Sequence, residues 1–389
     1  MKVLYILSSV SPFGGSSKSF LRLIKVLLRR ENDLEVMVCA PSLGGILDEL
    51  KDMERVRLEK IDLRFNVYPQ LKTIKDYLLF LPKLLYHFLI NSISYYKLLF
   101  LAKKYQPDVI HTNVGVVNIG YRVAKKLNIP HIYHLREYQD MHFGMKIIPS
   151  MQRFKKELKQ DGNSNICITK GIREHFDLAE DKNTKVIYDP ILPTDSIVFE
   201  KEKSKFFLFV GRLDAKKGIF EVLEAFASFY EKRKDYRLKC CGVPSDGNME
   251  LLYSEAERLG IKDVVDFLLM RDDVDVFMRK ATMLIMGSEW EGFGLVTAEA
   301  MANGCLVVGK DNTGTKEQFD NGLNLTKEEI GLRYNSKDEL VDIMHKVVDD
   351  GIESYFSMIE RAQTTIKNFY TTEVVVNQVL DFYKSLCRK

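Results

Sequence analysis

Short apolar runs alternate with stretches of helix-forming residues along almost the whole chain, and they do so in two series. The first series has runs at residues 3–7, 35–39, 56–58, 108–111, 131–134, 166–168 and 186–188. The second has them at 206–210, 236–241, 264–268, 283–286 and 306–309. Continuously apolar strands separated by helices predict parallel sheets covered on both faces, the doubly wound α/β class. A polar, proline-containing linker follows Tyr188, from Asp189-Pro190 to Lys205. At 389 residues the chain exceeds one ordinary core, so two domains are expected, 1–190 and 191–370, with a helical C-terminal stretch from 337 onward.

Bulk composition excludes several classes. The chain is 46% hydrophobic and 29% charged, which is globular, and its net charge of +3 favours neither nucleic acid nor an acidic partner. No run reaches the roughly 18 apolar residues needed to cross a bilayer. The apolar core of residues 3–7 is too short for a signal peptide, so a cytoplasmic protein is expected. Its six cysteines form no CxxC pair, and buried reduced thiols are expected.

The richest stretch is Ser288-Glu289-Trp290-Glu291-Gly292-Phe293-Gly294-Leu295, continuing to Gly304. A strand feeds a glycine-bearing turn, and Leu295 to Ala302 then reads as a helix stopped at Gly304. Helix starts of this kind present N–H groups and a positive dipole end to anions. Glu291 and Glu299 bracket it. Eight residues at about 1.5 Å rise put them roughly 12 Å apart, beyond the roughly 5–9.5 Å of a glycosidase pair. Carboxylates beside an anion site suit neutral hydroxyls, and an anion flanked by hydroxyls describes a nucleotide sugar.

Residues 206–210 deliver Gly211-Arg212-Leu213 to a loop, with Lys217-Gly218 at the next helix start. A planar fork and a point charge suit a diphosphate. Near the N-terminus, Gly14-Gly15 opens a helix over 18–30, but no GxGxxG or GxxxxGK[ST] pattern is present. His111, His134, Arg136 and Glu137 fall at carboxyl ends of strands, where such sheets bind ligands. Asp273 and Asp275 form an Asp-x-Asp, read as a helix start and not as a metal site. Residues 71–105 are dense in leucines and aromatics, with Lys72, Lys75, Lys83, Lys97, Lys103 and Lys104 against one acid, Asp76. They read either as buried crossover helices or as a helix at an anionic membrane surface, with Pro82 expected to break or kink any helix.

Gly211-Arg212-Leu213 with Lys217-Gly218, and Glu291-Gly292-Phe293-Gly294 with Glu299-Ala300-Met301-Ala302 and Gly304, resemble glycosyltransferase family 4, a group 1 family of bacterial polysaccharide synthesis. So do Asp108-Val109-Ile110-His111-Thr112-Asn113 and residues 130–137. The resemblance implies the GT-B fold, two Rossmann-like domains facing across a cleft. The N-terminal domain would lie on the acceptor side, with helix 371–389 packing back on it; the C-terminal domain would bind the nucleotide sugar. The implied activity is a retaining, metal-independent hexosyl transfer from a nucleotide-diphosphate sugar to a glycan or lipid-linked acceptor, without a cofactor. On that pattern Arg212 and Lys217 hold the diphosphate, Glu291 meets sugar hydroxyls and Glu299 the ribose. Amides of Phe293, Gly294 and Leu295 complete the anion site, Gly292 is a further donor-binding residue, and Gly14-Gly15 closes over the site. His134 stands near the donor sugar, and His111, Arg136 and Glu137 are acceptor-side candidates. The chain departs from the family where Tyr188-Asp189-Pro190 replaces an Asn-Gly and Gly287-Ser288 stands for Pro-Ser. Two alternatives are a non-catalytic glycosyltransferase-like binding subunit and a GT-B nucleotide-sugar epimerase. The expected location is cytoplasmic, peripheral to the inner face of the cell membrane if 71–105 meets lipid.

Overall fold

The computed structural model describes residues 1–71, 73–244 and 249–387. They form two compact units, Met1–Pro190 joined by the chain from Thr372 onward, and Ile191–Thr371.

The first unit holds β1 (Lys2–Ile6), β2 (Glu35–Ala40), β3 (Val56–Lys60), β4 (Val109–Thr112), β5 (His131–Leu135), β6 (Asn163–Cys167) and β7 (Thr184–Val186). They make one seven-stranded parallel sheet ordered β3-β2-β1-β4-β5-β6-β7. Strand alternation sends Val3, Tyr5 and Leu7 to one face, against Phe20, Leu23, Ile24 and Leu27 and against Val375, Val376, Val379 and Tyr383 of the last helix. Leu4 and Ile6 face the other way, onto Leu98, Leu101, Ala102, Val123 and Ala124. The last helix, Thr372–Cys387, is therefore part of this unit's core.

The second unit holds β8 (Ser204–Val210), β9 (Arg237–Cys241), β10 (Val265–Leu269), β11 (Ala281–Met286), β12 (Leu306–Lys310) and β13 (Leu332–Tyr334). Their order is β10-β9-β8-β11-β12-β13, again all parallel. The core gathers Phe207, Phe209, Phe226, Phe229, Met283 and Ile285 with Leu340, Met344 and Ile359.

Some elements differ from the sequence reading, each for a physical reason. β6 begins at Asn163, ahead of the apolar run, because its polar residues are paired in the interior. Asn163 Oδ1 lies 2.7 Å from His131 Nδ1, and the Asn165 amide donates to Thr184 Oγ1 at 3.0 Å. Pro82 does not break the long helix, which runs from Phe80 to Tyr105. It sits in the first turn, where its missing N–H has no partner to lose, and the break falls just before, where the Ile74–Leu78 helix ends at the carbonyl four residues ahead of the proline. The N-terminal helix begins at Gly15, three residues earlier than expected, with Gly14 at an ordinary φ of −80°. β13, only three residues long, was not expected. Five of the six cysteines are buried free thiols, and Cys387 is exposed.

Candidate active site

Each sheet reverses its winding once, between β1 and β4 in the first unit and between β8 and β11 in the second. Loops leaving neighbouring strands there diverge to opposite sides and open a binding crevice at the carboxyl edge. In the second unit these are the loops carrying Gly211 to Gly218 and Gly287 to Gly294, the two motifs singled out in the sequence.

Glycines let these loops close on one another. A Cβ on Gly218 (φ 78°) would stand 2.2 Å from the carbonyl oxygen of Gly287, and one on Gly242, in the neighbouring loop after β9, would stand 1.7 Å from that of Gly211. Asp214 caps the short turn Ala215–Lys217, its carboxylate accepting from the Lys217 amide at 3.0 Å. Lys217 is thereby aimed at the second loop, and its Nζ meets Glu291 Oε1 at 2.5 Å, both side chains less than a fifth exposed. Arg212 reaches back to Asp214 (Nε to Oδ2, 3.3 Å) and is 47% exposed. Of the two cations expected at a diphosphate, Lys217 is thus joined to the turn that carries Glu291, and Arg212 lies on the same loop as Lys217, paired with Asp214.

The Glu291 turn is held from below by the Thr313–Thr326 helix. Thr313 Oγ1 accepts from the Glu291 amide at 3.0 Å, and Gly314 N donates to the Glu291 carbonyl at 3.1 Å. Gln318 donates to the carbonyls of Phe293 (2.6 Å) and Gly294 (3.0 Å). Gly294, at φ 89°, caps the Leu295–Ala302 helix, in whose second turn Glu299 lies half-buried. Gly292 shares the turn with Glu291 and is half-buried, whereas Phe293 is buried. Thr313 and Gln318 are not among the site residues that the sequence singled out.

In the first unit the switch-point residues are buried and joined by hydrogen bonds. Tyr5 on β1 and His111 on β4 are register partners. The Tyr5 hydroxyl bonds that of Tyr383, which lies 2.6 Å from His111 Nδ1. His111 Nε2 lies 3.1 Å from His134 Nδ1, to which Arg136 donates at 3.3 Å. Arg136 also donates to Asn113 Oδ1 (3.2 and 3.1 Å) and to Ser19 Oγ (3.0 Å) and forms a buried ion pair with Asp189. Ser19 Oγ donates to the same carboxylate at 2.6 Å. Burial first, then the Arg136 charge, hold both imidazoles well below the ordinary histidine range, so they are neutral. Asp189, the departure from the family pattern after β7, is thus the counter-ion of Arg136. Glu137 follows Arg136, half-buried, and Gly14 and Gly15 stand at the N-terminal helix start.

The Asp-x-Asp carboxylates are engaged by arginines. Asp273 takes a forked bond from Arg271 (2.7 and 2.8 Å) and Asp275 one from Arg279 at 2.7 Å. Asp273 occupies the N-cap position of the Val274–Lys280 helix and Asp275 its first turn, the helix start expected, although the Asp273 side chain makes no capping bond. Among the described residues no group of three His, Cys, Asp or Glu side chains is placed to hold a metal.

Two all-parallel α/β units with switch-point loops of this kind define a GT-B glycosyltransferase fold. Residues 194–365, nearly all of the second unit, match the model of the family "Glycosyl transferases group 1". The chain is 28% identical over 247 residues to the alpha-monoglucosyldiacylglycerol synthase of Streptococcus pneumoniae, covering 56% of this chain and 54% of the synthase. It is 23% identical over 384 residues to an uncharacterized glycosyltransferase of Haemophilus influenzae, covering 96% and 98%. Among solved structures, Anabaena HepE in complex with UDP superposes with a TM-score of 0.78 at 19% identity, covering 99% of this chain and 100% of HepE. The chain spans about half the length of the pneumococcal synthase.

Proposed function

We propose that the protein transfers a sugar from a nucleotide-diphosphate sugar to a glycan or lipid-linked acceptor, with retention at the anomeric carbon. The carrying observation is the second unit's switch point, where the loop that holds Arg212 and Lys217 meets, through the Lys217–Glu291 ion pair, the turn leading into the Leu295–Ala302 helix. Departure of a nucleoside diphosphate builds negative charge on its outer phosphate. Cations and a helix start fixed at that place stabilise the transition state more than the ground state. In this reading Lys217 leaves Glu291 for the diphosphate, which frees the Glu291 carboxylate to accept from sugar hydroxyls. Glu299 takes the ribose, and the amides of Gly292 to Leu295 take phosphate oxygens. The departing phosphate oxygen helps deprotonate the acceptor on the same face, so the protein supplies no nucleophile and the charge is met without a metal ion. HepE, similar in fold, has been crystallised with UDP-glucose, which supports a nucleotide sugar as the donor class.

The reading extends to a lipid surface for the acceptor. In the Phe80–Tyr105 helix, Leu81, Leu85, Leu89, Ile93, Tyr96 and Phe100 recur every three or four residues on one face, all more than half exposed. Ser94, Leu98, Leu101 and Ala102 on the opposite face are buried. One face packs on the sheet and the other is an apolar stripe about 28 Å long. Lys75, Lys97, Lys103 and Lys104 are exposed, while the acid of this region, Asp76, is bound to Lys83 at 2.7 Å. An apolar stripe with uncompensated cations suits the interface of an anionic leaflet. No described helix is long and apolar enough to cross a membrane.

The test is a thermal-shift panel of nucleotide sugars, followed by diphosphate release with and without lipid acceptor. A ligand at 100 times its Kd adds about 2.7 kcal/mol to the folded state. If no nucleotide sugar raises Tm and none releases diphosphate, the reading fails.

A further inference from the structure

The buried chain Tyr5, Tyr383, His111, His134, Arg136 has a polarity that one of its members dictates. A guanidinium donates and never accepts, and it stays protonated in proteins. Arg136 donates to His134 Nδ1, so that nitrogen is bare. His111 Nε2, facing the same nitrogen at 3.1 Å, must then carry a proton, because two lone pairs would otherwise meet. A neutral His111 with its proton on Nε2 has a bare Nδ1, which accepts from the Tyr383 hydroxyl at 2.6 Å. Tyr383 in turn accepts from Tyr5. His134, neutral and bare at Nδ1, carries its proton on Nε2. That nitrogen is buried and has no hydrogen-bond partner in the protein.

An unpaired buried donor is destabilising, so a fold that keeps one needs a use for it. We propose that Arg136 is a positioning residue that fixes His134 as the Nε2–H tautomer, so that His134 serves a ligand oxygen only as a neutral hydrogen-bond donor. This rests on the function proposed above, under which that oxygen is a sugar hydroxyl oxygen of a substrate. The consequence is specific: His134 cannot act as a base through Nε2 in its resting state, and Nδ1 is already taken by two donors. The groups facing the imidazole bear this out. Burial first, then Arg136 and His111, disfavour a second proton on it, and Asp189, the one carboxylate in the network, is held by Arg136 in the ion pair.

Side-chain ¹⁵N NMR of the histidines in the full chain, without ligand, tests the assignment, with His134 and His111 identified by loss of their signals in His134→Gln and His111→Gln. Both should show a protonated Nε2 and a bare Nδ1, unchanged from about pH 6 to 8. A proton on His134 Nδ1, or titration of His134 in that range, overturns the proposal. In Tyr383→Phe the His111 Nδ1 signal should shift while His134 keeps its tautomer, because the polarity comes from the arginine end. A tautomer change at His134 in that variant overturns it. In the paired variant Arg136→Gln/Asp189→Asn, which leaves no buried charge alone, His134 should become a mixture of tautomers; a single unchanged tautomer removes Arg136 from the role. None of these spectra requires turnover or a bound sugar, so failure of the transferase reading in the diphosphate-release assay is distinguishable from failure here.

Discussion

Replacing Lys217 with methionine separates a structural role from a catalytic one. The Lys217 ammonium and the Glu291 carboxylate are 2.5 Å apart and mostly shielded from water, with side-chain exposures of 17% and 15%. A charge-assisted bond of this kind contributes about 1.5–3 kcal/mol net. Lys217→Met should therefore lower the Tm of the second unit by about 3–12 °C for a domain of this size. Most of that loss comes from the carboxylate left without its cation, so adding Glu291→Gln should return much of it. Activity should behave differently. If Lys217 stabilises the leaving diphosphate, kcat/KM falls by about 10²–10³-fold, the size of one lost transition-state contact, and the second substitution recovers none of it. Differential scanning calorimetry and initial-rate kinetics on the wild type, both single variants and the double variant give the two cycles. Coupling in stability without recovery of kcat/KM is the expected result. Recovery of both together would show that Lys217 only supports the Glu291 turn, and the diphosphate role would be refuted. Arg212→Ala is the control, since its side chain is 47% exposed and should lose activity with little change in Tm.

Glu291→Gln should lower kcat/KM more than Asp273→Ala or Asp275→Ala, whose carboxylates are engaged by Arg271 and Arg279, and EDTA should leave turnover intact; restoration of a chelated enzyme by Mn²⁺ or Mg²⁺ would overturn the metal-free reading. The protein should co-sediment with anionic vesicles, more weakly at high salt and with Lys75→Glu, and Leu85→Glu in the exposed stripe should weaken it at any salt; equal binding to neutral vesicles, or none to either, would leave the stripe without lipid. Lys72, another cation of this segment, lies outside the described residues. Burial lowers the His131 pKa from an ordinary 6.5 to about 4. A histidine buried neutral contributes its full stabilisation above about pH 6.5 and loses it as pH falls toward 4, for this residue up to about 3 kcal/mol. His111 and His134 shift in the same direction. Hydrogen-exchange protection of the β4–β5 region should therefore decline from pH 7 to 5, and unchanged protection would contradict the burial argument.

The apolar runs and their spacing determined the parallel α/β class and placed twelve of the strands, because strands covered on both faces are written continuously in apolar residues. They also placed the Arg212–Lys217 and Glu291–Glu299 loops, since a glycine-bearing turn between a strand and a helix is a local feature. The buried polar start of β6 was illegible: asparagines at 163 and 165 look like loop residues until His131, Thr184 and the Leu158 carbonyl are folded around them. The Pro82 expectation missed because a proline in a first helical turn and one in a helix interior look alike until the helix start is known. What tertiary structure alone decided is pairing. Lys217 and Glu291 are 74 positions apart, Arg136 and Asp189 are 53, and His111 and Tyr383 are 272. Each residue shows its own chemistry in the sequence. Which donor meets which acceptor, and so which proton His134 keeps, is set only when the sheet order brings distant strand ends and the last helix together.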